Sequence, residues 1–232
     1  MFYGDDVDPR LRTAVHASLQ WYDDVFAVHG VPTSHADGLW CARGETPRWH
    51  SAAKTVEPTV GAQRVVRAVE PFEHCSVADS FGTLDLSDAG FALLFEATWV
   101  HHEPLAQPPG EMPEDWSVVK HADELDRWNA LHDTAGVLLP EMLGHRRFTF
   151  LAHDADDGLT GGAVLHDCRG DAVGLSNSWT LPGTSLDVAA LVACASTIHP
   201  GRGIVDYAWG DELDALVEGG FSGLGPQVVW VR

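Results

Sequence analysis

The amino-acid sequence predicts an α+β protein built on a mixed β-sheet with helices on its faces. Three observations carry that prediction. From residue 172 to 232 the order reads strand, helix, strand, helix, strand: AVGLSNSW, SLDVAALVACASTI, GIVDYAW, GDELDALVEGGF and GPQVVWV. Strands that alternate with helices favour parallel neighbours. Upstream, FGTLDL and GFALLFEATWV flank Ser87-Asp88-Ala89, and RFTFLAHD and GGAVLHD are joined by the turn-rich DADDGLT, so antiparallel hairpins are expected too. Finally, 232 residues at 45% apolar and 21% charged suffice to bury a large core, as one broad domain or two small ones.

In chain order, residues 9–30 predict an amphipathic helix, with Leu11, Val15, Leu19, Tyr22, Phe26 and Val28 near helical spacing and Gly30 and Pro32 to end it. Residues 31–58 are punctuated by Pro, Gly and Ser and read as a long loop region holding Trp40 and Trp49. A short helix is expected over 61–68, then strands over 81–86 and 90–100. The proline- and acid-rich stretch 103–114 is the clearest linker. It divides the chain into an N-terminal region of helix, loop and hairpin, 1–104, and a C-terminal region, 115–232, unless both form one continuous domain. WSVVK then predicts a strand, and HADELDRWNALHD a helix with Leu125, Trp128, Leu131 and His132 on one face. Cys168-Arg169-Gly170-Asp171 is a hairpin turn. The last helix carries Asp211 and Glu212 in its first turn and Gly219-Gly220 at its end, which suits the dipole and the helix stop.

Composition narrows the function. The formal charge of -20 repels nucleic acid and anionic lipid and attracts a cationic or amine-bearing substrate. No apolar run approaches the length of a membrane span, and the N-terminus lacks a basic-then-apolar leader, so a cytoplasmic location without membrane contact is expected. The four cysteines form no C-x-x-C pair, and the thirteen histidines show neither H-x-x-x-H nor H-E-x-x-H spacing, so no metal site is expected.

Several residues invite chemistry. Trp49, His50 and Lys54 lie in a segment mixing aromatic, imidazole, ammonium and carboxylate groups, which reads either as a substrate-binding loop or as a solvated connector of chance polarity. Glu96 is a carboxylate on an otherwise apolar strand, placed either at a cleft, as a base for an amine, or toward solvent. Gly183, Thr184 and Ser185 stand directly before a helix, where an anion could meet free N–H groups; Thr184 or Ser185 can equally cap that helix, and Asp187 would oppose an anion. Arg202-Gly203 opens into a strand instead and reads as a turn.

The run GIVDYAWGDELDALVEGGFSGLGPQVVWVR, with DSFGTLDLSDAGFALLFEATW, the W-x-V-V at Trp116 and the HSAAKTVEP segment, resembles the GNAT (N-acetyltransferase-like) superfamily, and within it a divergent group without an assigned function. The resemblance implies a mixed sheet opened by a V-shaped splay, with the N-terminal helix and strands a candidate for a second, similar half. It implies acetyl-CoA or another acyl-CoA as cofactor, with Ser176, Asn177 and Ser178 along the pantetheine arm, Gly183, Thr184 and Ser185 at the pyrophosphate, and Trp179 near the substrate. The family's R-G-x-G/A turn is replaced here by Thr180-Leu181-Pro182-Gly183-Thr184-Ser185, and the position of its acid tyrosine by Leu216; Tyr207 is the nearby substitute. Two functions follow: acyl transfer from an acyl-CoA or related thioester to a small amine, with Glu96 as base and Tyr207 as acid, or a degenerate relative that binds a small molecule or runs another reaction in the same cleft.

Overall fold

The computed structural model describes residues 7–155 and 158–232. The first six residues, which the leader reading concerns, and Asp156 and Asp157 of the DADDGLT turn lie outside them. Helix α1 (Pro9–Val28) begins where the Asp8 carboxylate accepts the Arg10 N–H at 2.8 Å and Pro9 fixes the first turn. It stops at Gly30, whose left-handed φ of 68° lets the Val31 N–H return to the Phe26 carbonyl.

The region read as one long loop contains three strands. β1 (Thr33–Ala36) and β2 (Leu39–Ala42) form a hairpin over Asp37-Gly38, both at positive φ, and β3 (Ala53–Thr55) follows. After α2 (Ala62–Ala68) comes β4 (Ser76–Asp79). Residues 81–86 are not a strand. The buried Asp79 carboxylate accepts the Phe81 and Leu84 N–H groups and the Thr55 hydroxyl, which bends them into a loop. Ser87–Ala89 is a single 3-10 turn before β5 (Ala92–His102). The second half runs β6 (Trp116–Val118), α3 (Ala122–His132), β7 (Phe148–Ala155), β8 (Gly158–His166), β9 (Ala172–Thr180), α4 (Val188–Ile198), β10 (Gly203–Ala208), α5 (Gly210–Glu218) and β11 (Ser222–Val231).

Among the described residues the strands form one eleven-stranded mixed sheet, ordered β1-β2-β3-β4-β11-β5-β10-β9-β8-β7-β6. Two parallel units stand out: β3-α2-β4 and β9-α4-β10. Each is followed by a long strand, β5 and β11, and the two are exchanged: β5 lies beside β10 and β11 beside β4. They pair antiparallel with each other at the centre, so the order has a two-fold pattern about that pair.

Strand alternation separates two faces. Ile204 and Ala208 pack with Val173, Leu191 and Leu216 beneath α4 and α5. Val205 and Tyr207 face the other way, against Ala14 and Ala17 of α1 and Trp99. Leu216 is fully buried. Within the second half, Trp128 of α3 donates its indole N–H to the Leu151 carbonyl at 2.9 Å. Gly162 lies beneath that ring, where a Cβ would collide with the indole and with the Leu151 carbonyl.

Candidate active site in the splayed sheet

Strands β9 and β10 pair only at Ala172, Val173 and Gly174, against Gly203, Ile204 and Val205. Beyond those residues they part. Opposite them, the β8–β9 register slips between Gly162↔Trp179 and Val164↔Ser176, so Asn177 and Ser178 together face Ala163. That is a bulge, and Asn177 takes its left-handed residue at φ 52°. A bulge leaves a residue unpaired and turns side chains away from their regular faces, here toward the gap.

The gap opens into a cleft of about 400 Å³ that reaches both faces of the sheet. On the first face its wall is α1, where Ala14, Ala17 and Ser18 leave room beside Trp21 and Tyr22. Ser176, Asn177 and Ser178 line one side, Val205, Asp206 and Tyr207 the other, and Trp209, just before α5, and Glu212 of α5 close the far end. The Ser178 hydroxyl is buried without a hydrogen-bond partner among the described residues.

Aromatic and imidazole groups roof the first face. The Trp21 indole N–H donates to His50 Nε2 at 3.1 Å, while His50 Nδ1 meets the Arg48 carbonyl at 3.0 Å. Those two bonds need a neutral ring protonated at Nδ1, and desolvation holds His50 down to about 4. Arg48 stacks over Trp49 and pairs with Asp133 beyond the end of α3, which fixes the loop over the mouth. His132, also at the mouth, is lowered by burial, opposed by the Asn177 side chain. Deeper in, His166 is 1% exposed and bonds the Asp24 carboxylate at 2.8 Å, which also pairs with Arg147 at 2.6 Å. Burial would raise Asp24, but the bond from His166 and the Arg147 guanidinium leave it below its ordinary value.

The second face is acidic. Asp206 is 8% exposed and shares its side of β10 with Ile204 and Ala208. Its carboxylate accepts only the Tyr207 N–H, at 2.7 Å, among the described residues. Burial, then the Glu212 charge, raise it well above the usual range. Burial lifts Glu212 to about 7. Two partly desolvated carboxylates that feel each other's charge resist being ionised together. The Tyr207 phenol is also raised by burial, so it stays protonated far past neutral pH.

Of the residues singled out by sequence, Ser176, Asn177, Ser178, Trp49, His50 and Tyr207 line this cleft. Trp179 packs behind it, edge-on to Trp128. Lys54 is buried beneath it, its ammonium 5.0 Å from the Trp99 ring and 5.4 Å from that of Tyr22. Glu96 is exposed in a separate groove with Trp209 and Pro226. Gly183, Thr184 and Ser185 are exposed on the connection after β9 and do not line the cleft. Helix α4 starts later than the sequence suggested, and Asp187, not Thr184 or Ser185, is its N-cap, accepting the Ala190 N–H at 2.9 Å. Sequence reasoning passed over Asp206, Glu212, His166 and Trp21. Asp206 stood as a lone carboxylate in the apolar run GIVDYAW, the same signal that marked Glu96.

A diphosphate does not fit this connection. The turn is closed on itself, the Thr184 N–H and hydroxyl both donating to the Leu181 carbonyl at 3.1 and 2.6 Å. Asp187 holds the helix start with a negative charge, and no Lys or Arg occurs between Arg169 and Arg202. An uncharged amide-bearing arm does fit the cleft itself, where the bulge offers Asn177 and the partnerless Ser178 hydroxyl.

No family model matches the sequence, and no curated protein matches it. Solved structures do. A GCN5-related N-acetyltransferase from Kribbella flavida superposes with a TM-score of 0.65 at 16% identity, covering 94% of this chain and 96% of that one. A GNAT-family protein from Novosphingobium aromaticivorans gives 0.60 at 12%, covering 97% of each. A functionally unknown conserved protein from Staphylococcus epidermidis gives 0.61 at 11%, covering 87% and 94%. At these identities the likeness is one of fold. It bears out the splayed mixed sheet expected from the sequence.

Proposed function

We propose, from the GNAT fold that this chain shares with those structures, that the through-sheet cleft transfers an acyl group from a thioester to a small amine. The observation that carries this reading is the parting of β9 from β10 at Gly174, which opens one face to the other beside the buried Asp206 and the half-buried Glu212. The donor would enter from the α5 face and the amine from the aromatic α1 face. The amine nitrogen attacks the thioester carbonyl carbon; the C–N bond forms, the C–S bond breaks, and the thiolate leaves. Asp206 and Glu212, with one proton between them, can accept the proton lost by the nitrogen and return one to the sulfur. Glu212, near 7, matches that return at neutral pH better than Tyr207, whose raised phenol is a weak acid but a ready hydrogen-bond donor to the carbonyl oxygen. We assign the proton transfers to this pair rather than to Glu96. The donor class follows the resemblance: acyl-CoA or a related thioester.

The test is free-thiol release with acetyl thioesters and a panel of small amines. Loss of the Glu212 proton should slow the reaction above an apparent pKa near 7, a value that belongs to the pair. Glu212→Gln should lower kcat by about 10²- to 10⁴-fold and remove that alkaline limb. No thiol released with any thioester would overturn the reading. The fully buried Leu216 and the closed turn after β9 favour a second reading, in which the cleft binds a small molecule without acyl transfer. Saturable tryptophan quenching by amines without turnover would select it.

A further inference from the structure

We infer that the acyl donor is an uncharged thioester on a pantetheine-like arm, and that the site discriminates against a nucleotide diphosphate. This rests on the acyl-transfer reading above and specifies its donor. An arm leaving the cleft along β9 must pass the connection to α4. Anions held at such a place need free N–H groups, a favourable helix end and commonly a cation. Each is weakened here. The Thr180 hydroxyl donates to the Thr184 carbonyl at 3.2 Å, and the Thr184 N–H and hydroxyl both close back on the Leu181 carbonyl, so these donors are already engaged within the turn. The Asp187 carboxylate occupies the start of α4. Arg202, the first cation after Arg169, is committed to Asp167 at 2.7 Å and to the Ala172 carbonyl. At the α5 end of the cleft, the helix carries Asp211, Glu212 and Asp214 in its first half.

The same chain offers much to a neutral arm. Pantetheine carries two amides and no charge, and the bulge presents Ser176, Asn177 and the partnerless Ser178 hydroxyl along the path such an arm would take. Apolar stretches of the arm would meet Leu175 and Trp209.

Tryptophan fluorescence and thiol release, with acetyl-pantetheine and acetyl-CoA compared in the full chain, test this. Acetyl-pantetheine should bind and react at least as well as acetyl-CoA. Any acetyl-CoA binding should strengthen as salt rises from about 20 to 200 mM, because screening relieves like-charge repulsion. Asp187→Asn keeps an equally good helix cap and should improve acetyl-CoA affinity about two- to fivefold while leaving acetyl-pantetheine unchanged. A preference for acetyl-CoA of about tenfold or more, worth 1.4 kcal/mol, or acetyl-CoA binding that weakens with salt, would overturn the inference and leave acyl transfer standing. If neither thioester binds nor releases thiol, the acyl-transfer reading falls and takes this inference with it.

Discussion

Lys54 is the least expected residue of the core: 1% exposed, held over Trp99 and Tyr22, and in no ion pair among the described residues. Burial brings its ammonium down to about 7, with Asp79 opposing the shift. Between that value and the ordinary 10.5 the unfolded chain holds a proton that the folded one has released, so stability rises with pH across this window. Below it, folding bears the whole cost of a buried charge. Lys54→Met should therefore be more stable than the parent at pH 6.5 by about 1–4 kcal/mol. Its advantage should shrink by about 1.4 kcal/mol per pH unit as pH rises toward 10. Urea unfolding of both proteins at several pH values measures this; a constant difference would refute it. Single residues were legible where polarity interrupted an expected strand end, as at Ser176, Asn177 and Ser178. Glu212 was hidden because an acid in a first helical turn already has a structural reason to be there. His166 and Trp21 gave no local signal, since their meeting depends on α1 crossing the sheet.

Elements were legible where backbone chemistry is local. The five helices of the described residues match the expected segments to within a few residues, because apolar spacing and end residues agree. Asp37-Gly38 is a strong signal for a two-residue hairpin, obscured by the short strands on either side. FGTLDL has a strand's composition, but the Asp79 carboxylate takes two of the N–H groups that a ladder would need. The bulge in β9 required both strands and was not readable from one. It gives a sharp expectation. At φ 52° a β-branched side chain is strained, so Asn177→Val should cost about 1–3 kcal/mol, whereas Asn177→Gly should stay near parental stability. For a chain of this size that is roughly 2–4 °C in Tm per kcal/mol, read by thermal melting. Equal melting of the two variants would show that the bulge tolerates any residue.

At the scale of the whole molecule, the linker over 103–114 suggests two separable parts, and β5 joins them again. That strand belongs to the first 104 residues yet lies between β10 and β11. Fragments 1–104 and 115–232 should each lack cooperative urea unfolding, and should regain it when expressed together. Cooperative unfolding of either fragment alone would establish independent domains. The central exchange also orders events in time. While the chain is being synthesised, β4 can pair with β3, but its other neighbour, β11, spans 222–231 and emerges after the other ten described strands. The β5 backbone likewise waits for β10 and β11, roughly a hundred residues downstream. Until then both strands present unpaired edges, the condition that invites wrong partners. The nascent chain cannot close this sheet stepwise from β1 onward: the sheet closes at its centre, and only once β11 has been made.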